Sequence, residues 1–281
     1  MRYKRFSLAI IIPALIVFFL FHTFPMLTGF FYSFTDFRGY GDYDFVGIAN
    51  YQRLFTDPGV RQAYGFTITY AVIATVLSNV LSLIIALGLS AKIKMRGALR
   101  ATFFLPAVLP IIVVGFVFKF VFGQVLPQMG IGGLSQNILG TDKAWIAIVI
   151  VGVWQSCAVT IVLYLAGIQT VPEDVMEAAT IDGAGSWRKF WSVTFPLIAP
   201  FFTINMVLSL KNFLMVFDLV IALTNGGPGT STQSVAFQIY RNGFAGGQFA
   251  YQSANAVIFF LLIALLSFAQ QRWLGGREQR A

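Results

Sequence analysis

The sequence predicts an all-α membrane protein with six transmembrane helices and both termini in the cytoplasm. Of its 281 residues, 57% are hydrophobic and 11% are charged, whereas an ordinary soluble domain has about 25% charged residues. Six apolar segments have, or come close to, the roughly 20 residues that a helix needs to cross a bilayer. Lys and Arg are unevenly divided between the segments that connect them, which predicts how the helices are oriented.

The apolar runs place the transmembrane helices at residues 8–32, 66–91, 101–122, 144–168, 197–223 and 253–273. The first run follows Arg2, Lys4 and Arg5, as a signal peptide would. It is too long for one and no small-residue cleavage site follows it, so we interpret it as a retained anchor helix. Prolines such as Pro106 and Pro110 interrupt several runs, which helices packed in a membrane bundle tolerate.

The orientation follows from the basic residues. Twelve lie on one side of the predicted helices: Arg2, Lys4, Arg5, Lys92, Lys94, Arg96, Arg100, Arg188, Lys189, Arg272, Arg277 and Arg280. Five lie on the other side: Arg38, Arg53, Arg61, Lys143 and Arg241. The base-rich side of a membrane protein is normally cytoplasmic. We therefore expect the two termini and the loop at residues 171–196 to face the cytosol.

Composition also excludes several classes of function. One Cys, Cys157, rules out an intramolecular disulfide and a cysteine-based metal cluster. One His, His22, argues against a histidine-based metal site or catalytic triad, so no catalytic residue and no metal site is predicted. The net charge of +8 could suggest nucleic acid. The bases, however, lie at the ends of apolar runs, which indicates a lipid bilayer rather than a nucleic acid as the partner.

The loop at residues 171–196 is unusually polar and contains strong helix signals. Pro172 suits a first helical position, and Glu173 and Asp174 suit the positive end of a helix dipole. Gly183 provides a stop, and Ser186 a cap for a second helical turn. We therefore predict a helix–turn–helix on the cytosolic face.

This helix–turn–helix has three interpretations. It could be a solvated loop that happens to be helical. Ala178 and Ala179 form a smooth patch beside the charge of Glu177, which favours a surface where another protein docks. The exposed Trp187 and Trp191 would also suit anchors at the lipid headgroups.

The loop resembles the EAA loop of the permease subunits of bacterial ATP-binding-cassette (ABC) importers. The resemblance is carried by Glu177-Ala178-Ala179, Asp182-Gly183 and Phe195-Pro196, with Val193 and Phe195 where the family has Ile and Leu. Further segments resemble the carbohydrate branch, of the maltose and glycerol-phosphate permease type, in the right order: "PALIVFFLFHTFP", "SFTDF", "FVGIANYQRLFTDP", "FFLPAVLP" and "LTNGGPGTST". The large outer-loop insertion of some maltose-type subunits is missing.

The resemblance implies a single transmembrane domain over residues 1–281, with the type I ABC importer permease fold, in a bacterial inner membrane. Its partners would be a second homologous permease, two cytosolic ATPase subunits and an extracytoplasmic binding protein that delivers a sugar. Glu177, Ala178, Ala179, Asp182 and Gly183 would couple the chain to an ATPase. The chain lacks a phosphate-binding Gly-x-x-x-x-Gly-Lys-Ser/Thr loop, so ATP and Mg²⁺ would bind to the ATPase and no cofactor to this chain.

Polar residues inside transmembrane helices are costly, so each is a candidate for contact with a transported solute. The candidates fall on the fourth and fifth helices: Gln155, Ser156, Thr160, Tyr164, Asn205, Ser209, Lys211, Asn212 and Asp218. Bonds between helices are the alternative for each of them. For a stripe on the second helix (Thr75, Ser78, Asn79 and Ser82) we favour such bonds. Lys211 and Asp218 would lie two turns apart on one face of the fifth helix, and we expect them to be structural partners within this chain or with the second permease.

The predicted function is that of one half of an ATP-driven sugar importer working by alternating access. Two alternatives stay open. A permease for a non-sugar solute, such as a glycerol-phosphate ester, would need several intramembrane bases, whereas only Lys211 lies deep. A self-contained channel or secondary transporter would leave the cytosolic helix–turn–helix without a role. An intramembrane enzyme would need a nucleophile and base, or a metal site, in the helices, and the sequence has none.

Overall fold

The computed structural model describes residues 11–91, 94–130 and 137–278, with side chains to Trp273, and its fold is all-α. Six helices are long and apolar enough to cross a membrane. They are α1 (Ile11–Tyr32), α3 (Pro58–Ser90), α5 (Ile111–Gln128), α6 (Ala144–Ile168), α8 (Ser186–Leu214) and α10 (Phe249–Glu278). The shorter helices are α2 (Ala49–Thr56), α4 (Arg96–Val108), α7 (Glu173–Ile181) and α9 (Val235–Tyr240).

The chain divides into two compact units. The first contains the residues up to Arg61 together with Gln238–Leu261, and the second contains Gln62–Phe237 together with the residues from Leu262 onward. The boundaries between the units fall inside helices: α3 is divided after Arg61, α9 after Phe237 and α10 after Leu261. Among the described residues no β-strand forms, and Thr35 and Phe45 make an isolated antiparallel bridge.

The first unit is organised by the segment that links α1 to α3. Asn50 donates from Nδ2 to the carbonyl oxygens of Ser33 and Thr35, at 2.9 and 2.7 Å. Tyr32 stacks on Phe37 with 4.3 Å between ring centroids, and both rings contact Phe249 of α10 edge-on. These bonds and ring contacts fix the linking segment against its own unit without the support of a sheet.

Asp57 caps the start of α3. Its Oδ1 accepts from the backbone N–H of Gly59 at 2.8 Å and of Val60 at 3.3 Å, while its Oδ2 accepts from the Tyr251 hydroxyl at 2.8 Å. Pro58 follows at the first helical position, where its missing N–H costs nothing. Burial raises the pKa of Asp57, but these hydrogen bonds and the nearby Arg53 outweigh it, and the pKa lies below its usual value.

The core of the second unit packs α6 against its neighbours. Tyr70 of α3, Ile148 of α6 and Leu219 are buried. Gly152 of α6 lies where a Cβ would overlap the hydroxyl of Tyr70, so a glycine lets α3 and α6 approach closely. Fully burying a large aliphatic side chain stabilises a fold by about 1.5–3 kcal/mol in water, but between membrane helices close packing replaces most of that contribution.

The predicted third transmembrane helix, 101–122, is wrong as a single helix. α4 ends at Val108, Leu109 and Pro110 are extended, and α5 begins at Ile111. Pro110 has no N–H to donate, and its ring disfavours a helical conformation at Leu109. The segment long enough to cross the membrane is α5, which continues through a π-helical turn at Val121–Val125 to Gln128.

The predicted fifth helix, 197–223, is also broken. α8 begins earlier, at Ser186, and ends at Leu214; a π-helical turn then runs over Val220–Thr224. The break is held by Ser234, whose Oγ donates to the carbonyl oxygen of Val216 at 2.7 Å. Lys211 and Asp218 are therefore not two turns apart on one continuous face, as the sequence had suggested.

The remaining boundaries differ less. The predicted helix 144–168 coincides with α6. The predicted helix 66–91 begins earlier, at Pro58, because Asp57 and Pro58 form a helix start that hydropathy does not detect. The predicted helix 253–273 extends over Phe249–Glu278, and residues 8–10 of the predicted helix 8–32 lie outside the described residues.

Candidate functional site

The helix α7 in the 171–196 loop ends in a Schellman motif. Gly183 has a φ of +72°, a left-handed conformation that glycine adopts without strain. The N–H of Gly183 donates to the Thr180 carbonyl, and the N–H of Ala184 to the Ala179 carbonyl, both at 3.0 Å. These two backbone hydrogen bonds turn the chain sharply after Asp182. The predicted glycine stop is therefore a defined turn.

Side chains then tie α7 to the start of α8. Lys189 donates from Nζ to Oγ1 of Thr180 at 2.7 Å, and Thr180 itself donates to the Met176 carbonyl at 2.8 Å. Ser186, predicted as the cap of the second helical turn, does not cap it: Gly185 stands at the cap position and makes no side-chain bond. The two helical pieces are held together by the lysine instead.

No other described part of the chain covers the outer surface of α7. Glu177 and Ala178 are exposed, and Ala179 is half-buried. Ile181 is 86% exposed, which is unusual for an isoleucine. Trp187 and Trp191 are exposed as well and contact each other edge-on. A carboxylate beside small and apolar side chains is suited to a partner that offers a base in a shallow apolar cleft.

A second feature lies deeper, where the second unit contains a cavity of about 390 Å³. Its polar lining comes from α3, α6, α8 and the segment after α8: Tyr70, Gln155, Ser156, Thr160, Asn205, Ser209, Asn212 and Asp218. Apolar side chains, among them Leu208 and Phe217, complete it. Seven of the nine predicted solute-contact residues therefore line one cavity, although they come from three different parts of the chain.

The two other candidates do not line this cavity. Tyr164 is fully buried, and its hydroxyl donates to Oδ1 of Asn79 at 2.8 Å. Lys211 is exposed next to Asn212. The second-helix stripe is buried, and Ser78 donates to Oγ of Ser156 at 3.2 Å. Bonds between helices thus account for Tyr164, Asn79 and Ser78. The hydroxyls of Thr75 and Ser82 are buried without a hydrogen-bond partner among the described residues, so for these two the expected bonds do not form.

Within the cavity, some polar side chains are hydrogen-bonded to other described residues of the chain and others are not. Asn205 donates from Nδ2 to the Thr160 carbonyl at 3.4 Å, and Thr160 donates to the Ser156 carbonyl at 3.0 Å. In the part of the chain that the structure describes, the side chains of Asn212 and Asp218 have no hydrogen-bond partner. The free groups are those nearest to the break that follows α8, so a bound solute can reach them.

Gln155 joins the cavity to the break between α4 and α5. Its Nε2 donates to the carbonyl of Leu109 at 2.9 Å and, more weakly, to that of Pro106 at 3.4 Å. The extended backbone at Leu109 and Pro110 takes the Leu109 carbonyl out of the helical hydrogen-bond pattern, and the amide of Gln155 supplies a donor to it. Its Oε1 is buried without a hydrogen-bond partner among the described residues. Gln155 therefore stabilises the broken helix in addition to lining the cavity.

Tyr70 was not among the residues predicted to contact a solute. This side chain is 2% exposed and lines the cavity from α3. Its hydroxyl is a polar group inside an apolar run, which is the signal that identified the other candidates, so Tyr70 could have been predicted from the sequence. The helix break at Met215–Phe217 was also missed, and no proline or glycine marks it.

The chemistry of the cavity suits a neutral, hydroxyl-rich solute. Amides and hydroxyls can donate to and accept from sugar hydroxyls, and aromatic and aliphatic walls suit the apolar face of a sugar ring. Among the described residues, the lining contains one acid, Asp218, and no base. An anionic solute would gain no compensating charge from this lining, and Asp218 would repel it.

Comparison with known proteins identifies the family. The family model described as binding-protein-dependent transport system inner membrane component matches residues 78–280. The multiple sugar-binding transport system permease protein MsmF of Streptococcus mutans is 41% identical, over 95% of this chain and 94% of that protein. The probable starch degradation products transport system permease protein AmyD of Thermoanaerobacterium thermosulfurigenes is 36% identical, over 88% and 86% of the two chains.

Solved structures agree on the fold. A chain of a bacterial ABC transporter involved in the import of the acidic polysaccharide alginate superposes with a TM-score of 0.82 at 20% identity, over 99% of this chain and 96% of that one. A chain from the alginate transporter in complex with a periplasmic protein bound to an alginate pentasaccharide gives 0.83 at 20% identity, over 96% and 94%. The six-helix architecture is thus that of an ABC importer permease, and the chain belongs to the family of binding-protein-dependent transport system inner membrane components.

Proposed function

We propose that this chain forms half of the translocation path of an ATP-driven importer for a neutral sugar or oligosaccharide. The cavity lined by Gln155, Ser156, Thr160, Asn205, Ser209, Asn212 and Asp218 is the observation that carries the proposal. Its amides and hydroxyls match a polyhydroxylated solute. The names of the two relatives, which refer to multiple sugars and to starch degradation products, point to the same class.

A glycerol-phosphate ester is a weaker candidate substrate for this chain. Proteins commonly hold a phosphate with Arg or Lys, or at the N-terminal end of a helix. The cavity offers Asp218 and no base, and Lys211 lies outside its lining. Desolvating a phosphate beside a carboxylate would be costly in a membrane interior. We therefore favour an uncharged substrate.

Energy would enter through α7. The exposed Glu177 and Ala178, with the half-buried Ala179, would seat in a cleft of a cytosolic ATPase, and Glu177 would pair with a base there. Two such ATPase subunits would bind ATP and Mg²⁺, and their closure would switch the permease between inward-facing and outward-facing states. This assignment rests on the excess of Lys and Arg on the α7 side, which also assigns both termini to the cytosol of a bacterial inner membrane.

A second, homologous permease and an extracytoplasmic binding protein complete the proposed complex. Lys211, Asn212 and Met215 are exposed in this chain although they lie at the end of a transmembrane helix. Facing a second permease across the path would keep the polar side chains of Lys211 and Asn212 out of lipid. The binding protein would release its sugar from the opposite side of the membrane into the space between the two permeases.

Reconstitution in liposomes tests this function. The chain would be purified with its partner permease and the ATPase, and uptake of labelled maltotriose, maltose and glycerol 3-phosphate would be measured with the binding protein outside and ATP inside. We expect uptake of an oligosaccharide or disaccharide that depends on ATP. Uptake without ATP or without the ATPase would favour a self-contained channel or secondary transporter, and uptake of glycerol 3-phosphate alone would refute the sugar assignment.

A charge reversal on α7 tests how the chain is coupled to the ATPase. Glu177→Lys is expected to abolish uptake and substrate-stimulated ATP hydrolysis while the chain stays in the membrane. Arg188→Glu provides a control, because it reverses an exposed charge in the same loop but outside α7. Normal coupling in the Glu177 variant would refute the docking assignment.

A further inference from the structure

A second cavity, of about 430 Å³, opens between α3, α4 and α6 at the end of the bundle that leads into the 171–196 loop. Phe103, Phe104, Ile161, Val162 and Leu165 form its apolar wall. Arg100 and Gln169 are its polar groups. It shares no residue with the cavity of the proposed sugar path. A basic group at the mouth of an apolar cleft is an arrangement that a neutral sugar does not require.

The guanidinium of Arg100 has buried N–H donors without acceptors. Its Nε and Nη2 atoms are buried and have no hydrogen-bond partner among the described residues, and the same holds for Nε of Arg96. The two arginines are four residues apart on α4, so they lie on the same side of the helix and repel each other. A buried, unpaired cationic donor is costly, and an anion bound between or beside these groups would remove much of that cost.

The surroundings of Arg100 specify more than an anion. Phosphate or sulfate alone would be satisfied by charged donors in water and would gain nothing from Phe103, Phe104 or Leu165. A ligand with a negative head and long apolar chains would use both parts of the cleft. The cleft also lies where α3 ends at Ser90 and α6 ends at Ile168, which is the level of the headgroups of one leaflet.

We propose that this cleft binds an anionic phospholipid, with its phosphate at Arg100 and one acyl chain along Phe103, Phe104 and Leu165. Basic pockets between transmembrane helices are known to hold anionic lipid headgroups. The assignment rests on the membrane location of the chain and on the cleft itself. The proposed orientation adds that the lipid belongs to the cytoplasmic leaflet.

The position of the cleft gives the lipid a structural consequence. Gln169 lines the cleft and is followed, three residues later, by Pro172 at the start of α7. A lipid that orders α4 against the end of α6 therefore also orders the base of the docking helix. Membranes rich in anionic lipid would hold α7 in a better defined position than neutral membranes do.

Native mass spectrometry of the complete transporter tests the proposal. The complex would be released from detergent after incubation with phosphatidylglycerol, phosphatidylcholine or inorganic phosphate, and bound adducts would be counted. We expect phosphatidylglycerol to be retained in preference to phosphatidylcholine. Arg100→Gln should weaken that retention roughly fivefold or more, the loss that corresponds to one basic residue at a lipid surface. Arg100→Lys should retain part of the affinity, because it preserves the charge but not the planar fork.

Two further variants test the acyl-chain site and the effect of general positive charge separately from the headgroup site at Arg100. Ala166→Trp places a large ring in the cleft from an exposed position and should block retention with Arg100 intact. Lys94→Gln removes an exposed base just before α4 and should retain the lipid as the native chain does. The melting temperature of each variant without added lipid shows whether it is folded, and Arg100→Lys and Ala166→Trp carry the test if Arg100→Gln is not.

Several results would overturn this inference. Equal retention of phosphatidylglycerol by the native chain and Arg100→Gln would exclude Arg100 as the headgroup site, and equal retention of phosphatidylcholine would exclude a charge preference. Displacement of the lipid by inorganic phosphate would indicate a site for free anions. Absence of any retained lipid in the assembled complex would indicate that a partner subunit covers the cleft. None of these readouts measures sugar uptake, so the proposed function would stand or fall separately.

Discussion

The hydroxyl of Tyr164 donates to Oδ1 of Asn79 at 2.8 Å, and this bond joins α6 to α3 inside the membrane-spanning bundle. Both side chains are buried. Water is not available there to replace a lost partner, so each group depends on the other. This pair has a structural role, whereas other polar residues of the same helices line the candidate solute cavity.

Removing this bond is expected to lower stability without changing affinity for the solute. Tyr164→Phe leaves Oδ1 of Asn79 without this donor. We expect the free energy of unfolding to fall by roughly 0.6 kcal/mol, the mean for bonds between membrane helices, and by at most about 1.7 kcal/mol, their maximum. Thermal unfolding of the purified complex measures it. Tyr40→Phe, at an exposed tyrosine, is the control. A changed KM for uptake in Tyr164→Phe would instead assign that hydroxyl to the path.

Asn212 is the most direct test of the solute cavity. It lines the cavity and has no hydrogen-bond partner within the described chain, so its truncation costs no internal bond. Asn212→Ala should weaken uptake about threefold to tenfold, the equivalent of one hydrogen bond to a neutral hydroxyl. Basal ATP hydrolysis and assembly should not change. Lys211→Ala, one residue away but outside the lining, is the matched control, and equal effects of the two substitutions would remove Asn212 from the site.

The turn after α7 predicts a strong dependence on residue 183. Proline there cannot adopt the φ of +72° and loses the N–H that bonds to the Thr180 carbonyl, so Gly183→Pro should abolish coupled ATP hydrolysis while the chain remains in the membrane. Gly183→Ala should have a partial effect, because a left-handed alanine costs about 1–2 kcal/mol. Gly185→Ala is the control, since Gly185 has an ordinary φ of −66°. Unimpaired coupling in Gly183→Pro would show that the Schellman turn is dispensable.

The capping carboxylate of Asp57 predicts a pH dependence at the start of α3. Its pKa lies below the ordinary value of 3.8, so the folded state binds the proton more weakly than the unfolded state does. The stabilisation is complete above pH 3.8 and is lost as the pH falls from there through the lowered pKa. Hydrogen exchange of the amides of Gly59 and Val60 should accelerate in that window beyond the intrinsic change. Asp57→Asn, which still caps but does not ionise, should not show this acceleration.

Hydropathy predicted that six helices cross the membrane and placed α6 at its bounds, because a long apolar run is a local property of the sequence. The break at Leu109–Pro110 was not predictable from proline alone, since Pro200 lies within α8 without ending it. The break after Leu214 depends on Ser234, which bonds to the Val216 carbonyl from a distant part of the chain. Local sequence contains no trace of such a contact.

The polar candidates were predicted from the cost of placing polar groups in a membrane. This rule selects residues that line a cavity and residues that bond between helices, and it does not distinguish the two. Tyr164 and Thr160 stand four residues apart on α6, yet Thr160 lines the cavity and Tyr164 bonds to Asn79. What separates them is the neighbouring helix that each side chain meets, which only the packed structure defines. The helix end at Gly183, in contrast, was predictable because the Schellman motif is formed by residues close in sequence.

The continuity of α8 has a mechanical meaning. This helix contains 29 residues and is about 43 Å long at 1.5 Å per residue. One end is fastened to α7 through Lys189 and Thr180, and the other carries Asn205, Ser209 and Asn212 and stops at the break held by Ser234. If an ATPase docks on α7 as proposed, a tilt imposed on α8 at Ser186 would displace these three polar side chains sideways relative to α6. On that proposal, a single helix would carry the movement of the ATPase to the lining of the cavity.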